Sequence, residues 1–248
     1  MIPRLYIPHA IAHDSPVDLD SGQRRYLTRT LRLSPGAALT LFSSEGPEGE
    51  WQAELIQSQS SVQARLLTFN PMKKESPLKI TLVTGLAKGD ATEQIIQKAV
   101  ELGAESIVPL VTQRSVRRSP AGRKDNKLKR WQNIVIEAAQ QCGRVRLPQI
   151  HAPVDWKQLS THLPADGPRY LFWEERGVEA IKLRDLPHPG RSVTLLIGPE
   201  GGLTQEEVSM AQGELGFTVV GLGPRILRVA TAGVAVVTGC QLLWGDMG

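Results

Sequence analysis

Glu200, Arg225 and Arg228 stand on two short glycine-bearing segments near the C-terminus, Ile197-Gly198-Pro199-Glu200-Gly201-Gly202 and Leu222-Gly223-Pro224-Arg225-Ile226-Leu227-Arg228. A carboxylate can accept a proton, and a guanidinium can hold an anion or stabilise charge that develops during a reaction. Glycine permits backbone conformations that a side chain would block. Each segment follows an apolar run that reads as a buried strand, and each leads into a helix. Turns of that kind gather at the carboxyl ends of a parallel sheet, where open α/β folds bind their ligands. The two segments are therefore expected side by side, forming one site.

The same segments exclude several chemistries. GxxxxGK[ST] is absent, and Gly221-Leu222-Gly223 followed by Pro224 is a lone GxG rather than a dinucleotide fingerprint. Thr204-Gln205-Glu206-Glu207 reads as a capping box that starts a helix after the first segment. Taken alone, Gly201-Gly202 reads better as a plain tight turn. In the second segment Ile226 and Leu227 read as core anchors. Guanidinium groups projecting from a buried apolar stretch need an anion, a ligand or a carboxylate such as Glu200 or Glu101. Thr231 is expected to cap a last helix over residues 232–244, in which Gly233, Ala235 and Gly239 allow close packing.

Elements that would position these residues can be read from hydrophobic periodicity. Residues 4–7, 38–42, 51–56 and 62–69 read as short strands separated by Ser34-Pro35-Gly36 and Glu45-Gly46-Pro47-Glu48-Gly49, with a basic helix over 21–32. The polar, proline-flanked stretch 70–77 marks a domain boundary. Beyond it strands (79–84, 106–111, 169–173, 193–197, 217–221) alternate with helices (90–102, 125–142). Leu128, Trp131, Ile134, Val135 and Ala138 form a stripe at helical spacing. Alternation of this kind calls for an α/β fold, a parallel sheet with helices on both faces, and Val193-Thr194-Leu195-Leu196-Ile197 has the composition of its central strand.

The chain has 248 residues and a formal charge of only +4, unevenly spread. Arg114, Arg117, Arg118, Arg123, Lys124, Lys127, Lys129 and Arg130 are interrupted by one acid, Asp125, and a second group holds Arg24, Arg25, Arg29 and Arg32. Two such runs favour a polyanionic partner, although each by itself also reads as a solvated face. Cys142 and Cys240 form no CxxC pair, and no His/Cys cluster has zinc spacing, which fits a reducing compartment without metal. Met1-Ile2-Pro3-Arg4 lacks the apolar core of a signal peptide, and the apolar stretch 232–244 is too short to span a bilayer. A soluble, cytoplasmic protein is expected.

Together the two C-terminal segments resemble the signature loops of the bacterial ribosomal RNA small-subunit methyltransferase E family, a SPOUT-class family that makes N3-methyluridine in 16S rRNA. Gln97-Lys98-Ala99-Val100-Glu101-Leu102-Gly103 is similar to its first helix motif. Glu137-Ala138-Ala139-Gln140-Gln141-Cys142-Gly143-Arg144 with Leu147-Pro148 is similar to its second, and Tyr26-Leu27-Thr28-Arg29-Thr30-Leu31-Arg32-Leu33 to its N-terminal segment. The chain departs from the pattern at Val229-Ala230, where the family usually has Thr-Glu.

The resemblance implies a PUA-like RNA-binding β-barrel over residues 1–72. It implies a SPOUT methyltransferase domain over 73–248 whose last segment threads a trefoil knot, and a homodimer. It implies S-adenosylmethionine as methyl donor, held by Leu196, Ile197, Gly198, Pro199, Gly201, Gly202, Leu222, Gly223, Ile226, Leu227 and Ala232, with Phe172-Trp173-Glu174 nearby. Arg228 is then the residue expected to stabilise charge on the uracil oxygens, Arg225 an alternative or a phosphate ligand, and Glu200 either a base or a brace. Arg25, Arg29, Arg32, Arg114, Arg117 and Arg144 are expected to meet RNA, Arg144 alternatively bracing the knot. Two readings compete: a non-catalytic RNA-binding assembly factor, for which Val229-Ala230 speaks, and a SPOUT methyltransferase with another RNA target.

Overall fold

The computed structural model describes residues 2–57, 61–115, 121–173 and 181–248, the side chains of 121–125 apart. They divide into two compact units: one of residues 1–75 with 139–147, the other of 76–138 with 148–248.

In the first unit, strands β1 (Arg4–Tyr6), β2 (Val17–Asp18), β3 (Ala38–Phe42), β4 (Gly49–Gln57) and β5 (Val62–Pro71) form one sheet in the order β1-β3-β4-β5-β2. Only the β1–β3 pair is parallel. Alternate side chains (Leu39, Leu41, Ala53, Leu55, Ala64) turn inward with Leu5, Ile7 and Leu27 to make its core. A register shift at Gln52/Ala53 bends the long hairpin, as a bulge does. The sheet curls into a half-barrel in which, among the described pairings, β1 and β2 are the edges; the PUA-like barrel that the resemblance implies is matched to that extent.

The expected helix 21–32 is shorter and changes pitch. Helix α1 (Ser21–Arg25) is capped by Asp20, whose side chain accepts the Gln23 amide at 2.8 Å while the Gln23 side chain accepts the Asp20 amide at 2.9 Å. Residues Tyr26–Thr30 continue as a wider turn in which the Leu31 amide reaches back to the Tyr26 carbonyl (2.9 Å). Arg32 ends it at φ +54°, a left-handed conformation that glycine adopts with less strain. Within the stretch 70–77, β5 runs on to Pro71 and the division between the two units falls after Glu75. Glu75 accepts the Val145 and Arg146 amides (3.1 Å each) and pairs with Arg144 at 2.6 Å.

The second unit holds a seven-stranded sheet, parallel at every pairing. Its strands are β6 (Lys79–Gly85), β7 (Ser106–Leu110), β8 (Gln149–Ile150), β9 (Arg169–Phe172), β10 (Ile181–Lys182), β11 (Ser192–Ile197) and β12 (Phe217–Gly221), in the order β10-β12-β9-β11-β6-β7-β8. As expected, β11 is central, and five of its six residues, Val193 to Ile197, are buried. The helices are α2 (Ala91–Glu101), α3 (Ala121–Cys142), α4 (Trp156–Leu159), α5 (Gln205–Gly213) and α6 (Val229–Trp244). Gly103 stops α2 at φ +82°. Trp131, Val135 and Ala138 bury the α3 stripe. Helix α6 starts three residues earlier than expected: Arg228, not Thr231, is its N-cap, and no side chain caps it. Gln241, fully buried, ties α6 to the end of α2 by donating to the Leu102 carbonyl (2.9 Å) while accepting from Ser76 Oγ (2.8 Å). Strands β2, β8 and β10 have two residues each, too few for periodicity to reveal. No helix of the described residues is long and apolar enough to cross a membrane.

Candidate active site

Register fixes where the loops emerge. Ile197 pairs with Phe172 of β9 and with Thr84 of β6, and Val220 of β12 also pairs with Phe172. The carboxyl ends of β6, β11, β9 and β12 therefore form one rim. β9 lies between β11 and β12, so the two glycine-bearing segments flank Phe172-Trp173 rather than touching as neighbours.

These segments line one cavity of about 810 Å³. Its walls are Ile197 to Glu200 on one side and Gly221 to Ala230 with Ala232 on the other. Phe172 and Trp173 lie between, and Ala91 and Gln94 come from the start of α2. The volume is in the range of small-molecule sites. Glu174 lies outside the described residues.

Within the first segment, Ile197, Gly198, Pro199 and Glu200 face the cavity, whereas Leu196 is buried in the core behind it. Gly201 and Gly202 lie off the wall and shape the turn. The Gly202 amide donates to the Pro199 carbonyl (2.9 Å), and Gly202 sits at φ +70°. A Cβ on Gly201 would stand 3.0 Å from Arg114 Cβ. Thr204 and Glu207 form the expected capping box at the start of α5.

Leu222, Gly223, Ile226 and Leu227 of the second segment all line the cavity, and Gly223 has φ +97°. The expectation that Ile226 anchors the core is wrong: Ile226 is 68% exposed, and Leu227 is only half-buried. The segment is a surface loop, so desolvation does not constrain its arginines. Arg225 and Arg228 are exposed and border the cavity, and among the described residues neither has a carboxylate partner. The alternative pairings fail for a visible reason. Glu101 pairs with Lys98 at 2.8 Å, and Glu200 Oε1 accepts the Lys88 amide at 2.9 Å. Glu200 thus braces the turn after β6, which Thr92 Oγ1 also holds by accepting the Ala87 amide (3.1 Å).

Val229 and Ala230 both line the cavity wall, and Val229 is otherwise buried. Among the described residues no group of three or more His, Cys, Asp and Glu side chains could hold a metal.

The residues expected to meet RNA divide. Arg25, Arg29 and Arg32 are exposed on the turn after β2, beside the exposed ring of Tyr26. Arg114 is exposed but donates to the Gly201 carbonyl (2.9 Å), so it holds the first segment. Arg144 is the exception and its RNA assignment is corrected: it is 7% exposed, and its guanidinium meets Glu75 through Nε (2.9 Å) and Nη2 (2.6 Å). Arg117 lies outside the described residues. Sequence reasoning missed Lys88 and Gln94, although the turn between β6 and α2, Gly85-Leu86-Ala87-Lys88-Gly89, carries the same glycine-bearing strand-to-helix signal as the two C-terminal segments.

Residues 74–241 match the RNA methyltransferase domain family. A ribosomal RNA small subunit methyltransferase E of a Synechocystis species is 36% identical over 88% of this chain and 70% of its own length. One of Bacillus subtilis is 31% identical over 89% of each. Among solved structures, the ribosomal RNA small subunit methyltransferase E of Neisseria gonorrhoeae, bound to S-adenosylmethionine, superposes with a TM-score of 0.88 at 34% identity over all of both chains. A protein of Legionella pneumophila solved with the same cofactor gives 0.90 at 31%, again over all of both chains.

Proposed function

The chain belongs to the RNA methyltransferase domain family and, within it, to the ribosomal RNA small subunit methyltransferase E family, and on that premise we propose that it methylates N3 of a uridine in 16S rRNA with S-adenosylmethionine as donor. The observation that carries the reading is the shared cavity: two glycine-bearing turns flank one aromatic strand end, and the guanidinium groups of Arg225 and Arg228, which have no carboxylate partner among the described residues, stand at its mouth.

The cavity suits this donor. Its walls combine apolar side chains (Leu222, Leu227, Ile226) with backbone of the 198–200 and 221–224 turns, a surface for an adenine ring and a ribose. It has no P-loop, and S-adenosylmethionine has no phosphate to bind. Ile197, Gly198, Pro199, Leu222, Gly223, Ile226, Leu227 and Ala232 would hold the donor directly, and Leu196, Gly201 and Gly202 would shape the turn behind it. The donor supplies an electrophilic methyl group on a sulfonium sulfur.

The protein's part is to prepare the nucleophile. Uridine N3 carries a proton at neutral pH and attacks poorly until it is lost. Arg228 at the mouth stabilises the negative charge that then spreads to the uracil oxygens, and Arg225 assists or holds a flanking phosphate. Glu200 keeps one oxygen on the Lys88 amide, and its other oxygen, without a described partner, is the proton acceptor in this reading.

RNA is gripped by Arg25, Arg29 and Arg32, with Tyr26 as a stacking surface, so the half-barrel unit is the RNA-binding module. The C-terminal segment passes through a trefoil knot. A homodimer is supported by the apolar side chains that α6 leaves exposed, Val234, Leu242 and Leu243. An rRNA substrate puts the protein in the cytoplasm. Ala230 at the cavity wall supports a second reading, an RNA-binding assembly factor that does not methylate. Mapping methylated uridines in 16S rRNA from a strain lacking the protein decides between them. One missing N3-methyl mark, restored by the gene, is expected; an unchanged pattern supports the assembly factor.

A further inference from the structure

Glu207 is a carboxylate with 3% of its surface exposed, and it joins three segments that are far apart in the chain. Its Oε1 accepts the Gln113 amide (2.8 Å), from the loop after β7, and Trp156 Nε1 (3.0 Å), from α4. Its Oε2 accepts the Thr204 amide (3.0 Å), and its own amide donates to Thr204 Oγ1 (3.3 Å). A helix needs only the Thr204 exchange from its capping residue. The two donors on Oε1 serve no cap. A buried carboxylate is costly unless several donors face it, and here three do, at the favourable N-terminal end of α5. The loop that supplies Gln113 also supplies Arg114, which donates to the Gly201 carbonyl at 2.9 Å.

We infer that Glu207 is a positioning residue for the donor cavity: it anchors the 198–204 turn to the loop after β7 and to α4, and so sets the backbone wall at Gly198 and Pro199. The inference rests on the reading that this cavity takes S-adenosylmethionine. An amide cannot replace the carboxylate. Whichever way a glutamine is turned, its NH2 faces an N–H donor, at Thr204 or at Gln113 and Trp156.

The test compares the full-length protein with Glu207→Gln, Trp156→Phe and a control, Val135→Ala, which removes buried volume on α3 outside the core cluster that holds Leu203 and Val208. Hydrogen exchange, read without any ligand, is expected to speed up at 198–204 and 111–115 in Glu207→Gln and to stay unchanged there in Val135→Ala. Titration with S-adenosylmethionine is expected to show at least ~10-fold weaker binding for Glu207→Gln, about 3-fold for Trp156→Phe, and wild-type affinity for the control. Unchanged exchange in Glu207→Gln, or wild-type affinity beside a binding wild-type protein, overturns the inference. A wild-type protein that binds no donor overturns the reading beneath it, and the exchange result then stands apart from that failure.

Discussion

Gly85 and Pro199 are packed so closely that no side chain fits between them: a Cβ on Gly85 would lie 2.5 Å from Pro199 Cδ and 2.9 Å from the Gly198 carbonyl carbon. The last residue of β6 is thereby the floor beneath the turn that follows β11. Gly85 is not needed for a left-handed backbone, since its φ is not positive; it is needed for space.

Gly85→Ala should therefore displace the 198–200 backbone. Overpacking of this kind costs about 1–3 kcal/mol. The expected outcome is a lower melting temperature together with loss of at least ~10-fold in S-adenosylmethionine affinity, measured by calorimetric titration. Wild-type affinity in a folded variant would mean that the turn is not part of the donor wall.

Arg228 borders the cavity and has no carboxylate partner among the described residues, so removing it leaves no orphaned acid. Arg228→Ala should keep donor affinity within about threefold while single-turnover methylation falls by roughly 10²–10³, the loss expected when charge stabilisation in the transition state is removed. Equal losses in donor binding and in rate would make Arg228 a donor ligand instead.

How much of this was legible in the sequence depends on the range of each interaction. Thr204 and Glu207 are three residues apart, and the capping box is local, so the pattern predicted it. The strand-to-helix turns at 198–204 and 222–228 were equally visible, because glycines punctuate apolar runs. Ile226 misled: an apolar residue beside a buried-looking Leu227 reads as core, yet nothing in one dimension tells which side of a loop faces solvent. Arg144 misled in the opposite way, because its partner Glu75 is 69 residues distant. Gly85 against Pro199, and Glu207 against Gln113 and Trp156, depend on strand order, which periodicity does not specify.

Arg29 and Arg32 are exposed and near one another in sequence on the turn that ends at Arg32. Reversing both to Glu should weaken rRNA binding. It should also flatten the slope of log K against log salt by about 1.4 or more, from two lost phosphate contacts on a single strand. Binding measured between low and moderate salt checks this; an unchanged slope removes the pair from the RNA surface.

His151 packs edge-on to His162 with ring centroids 4.7 Å apart, and its Nε2 lies 3.1 Å from Ser106 Oγ. Burial, and then the charge of His162, hold the His151 pKa below the usual histidine value of 6.5. The unfolded chain therefore binds this proton first as pH falls, and stability is lost progressively below about pH 6.5 until the folded site also protonates. Melting temperature should fall between pH 7.5 and 5. His151→Gln should shrink that dependence; an identical pH profile would assign the loss to other groups.

A crystal structure of the protein grown with S-adenosylmethionine tests the central claim most directly. The donor is expected in the cavity between Gly198-Pro199-Glu200 and the 222–227 loop, beside Trp173, with its methyl group open toward Arg228. Donor density elsewhere on the molecule, or an empty cavity at saturating donor, would contradict the account.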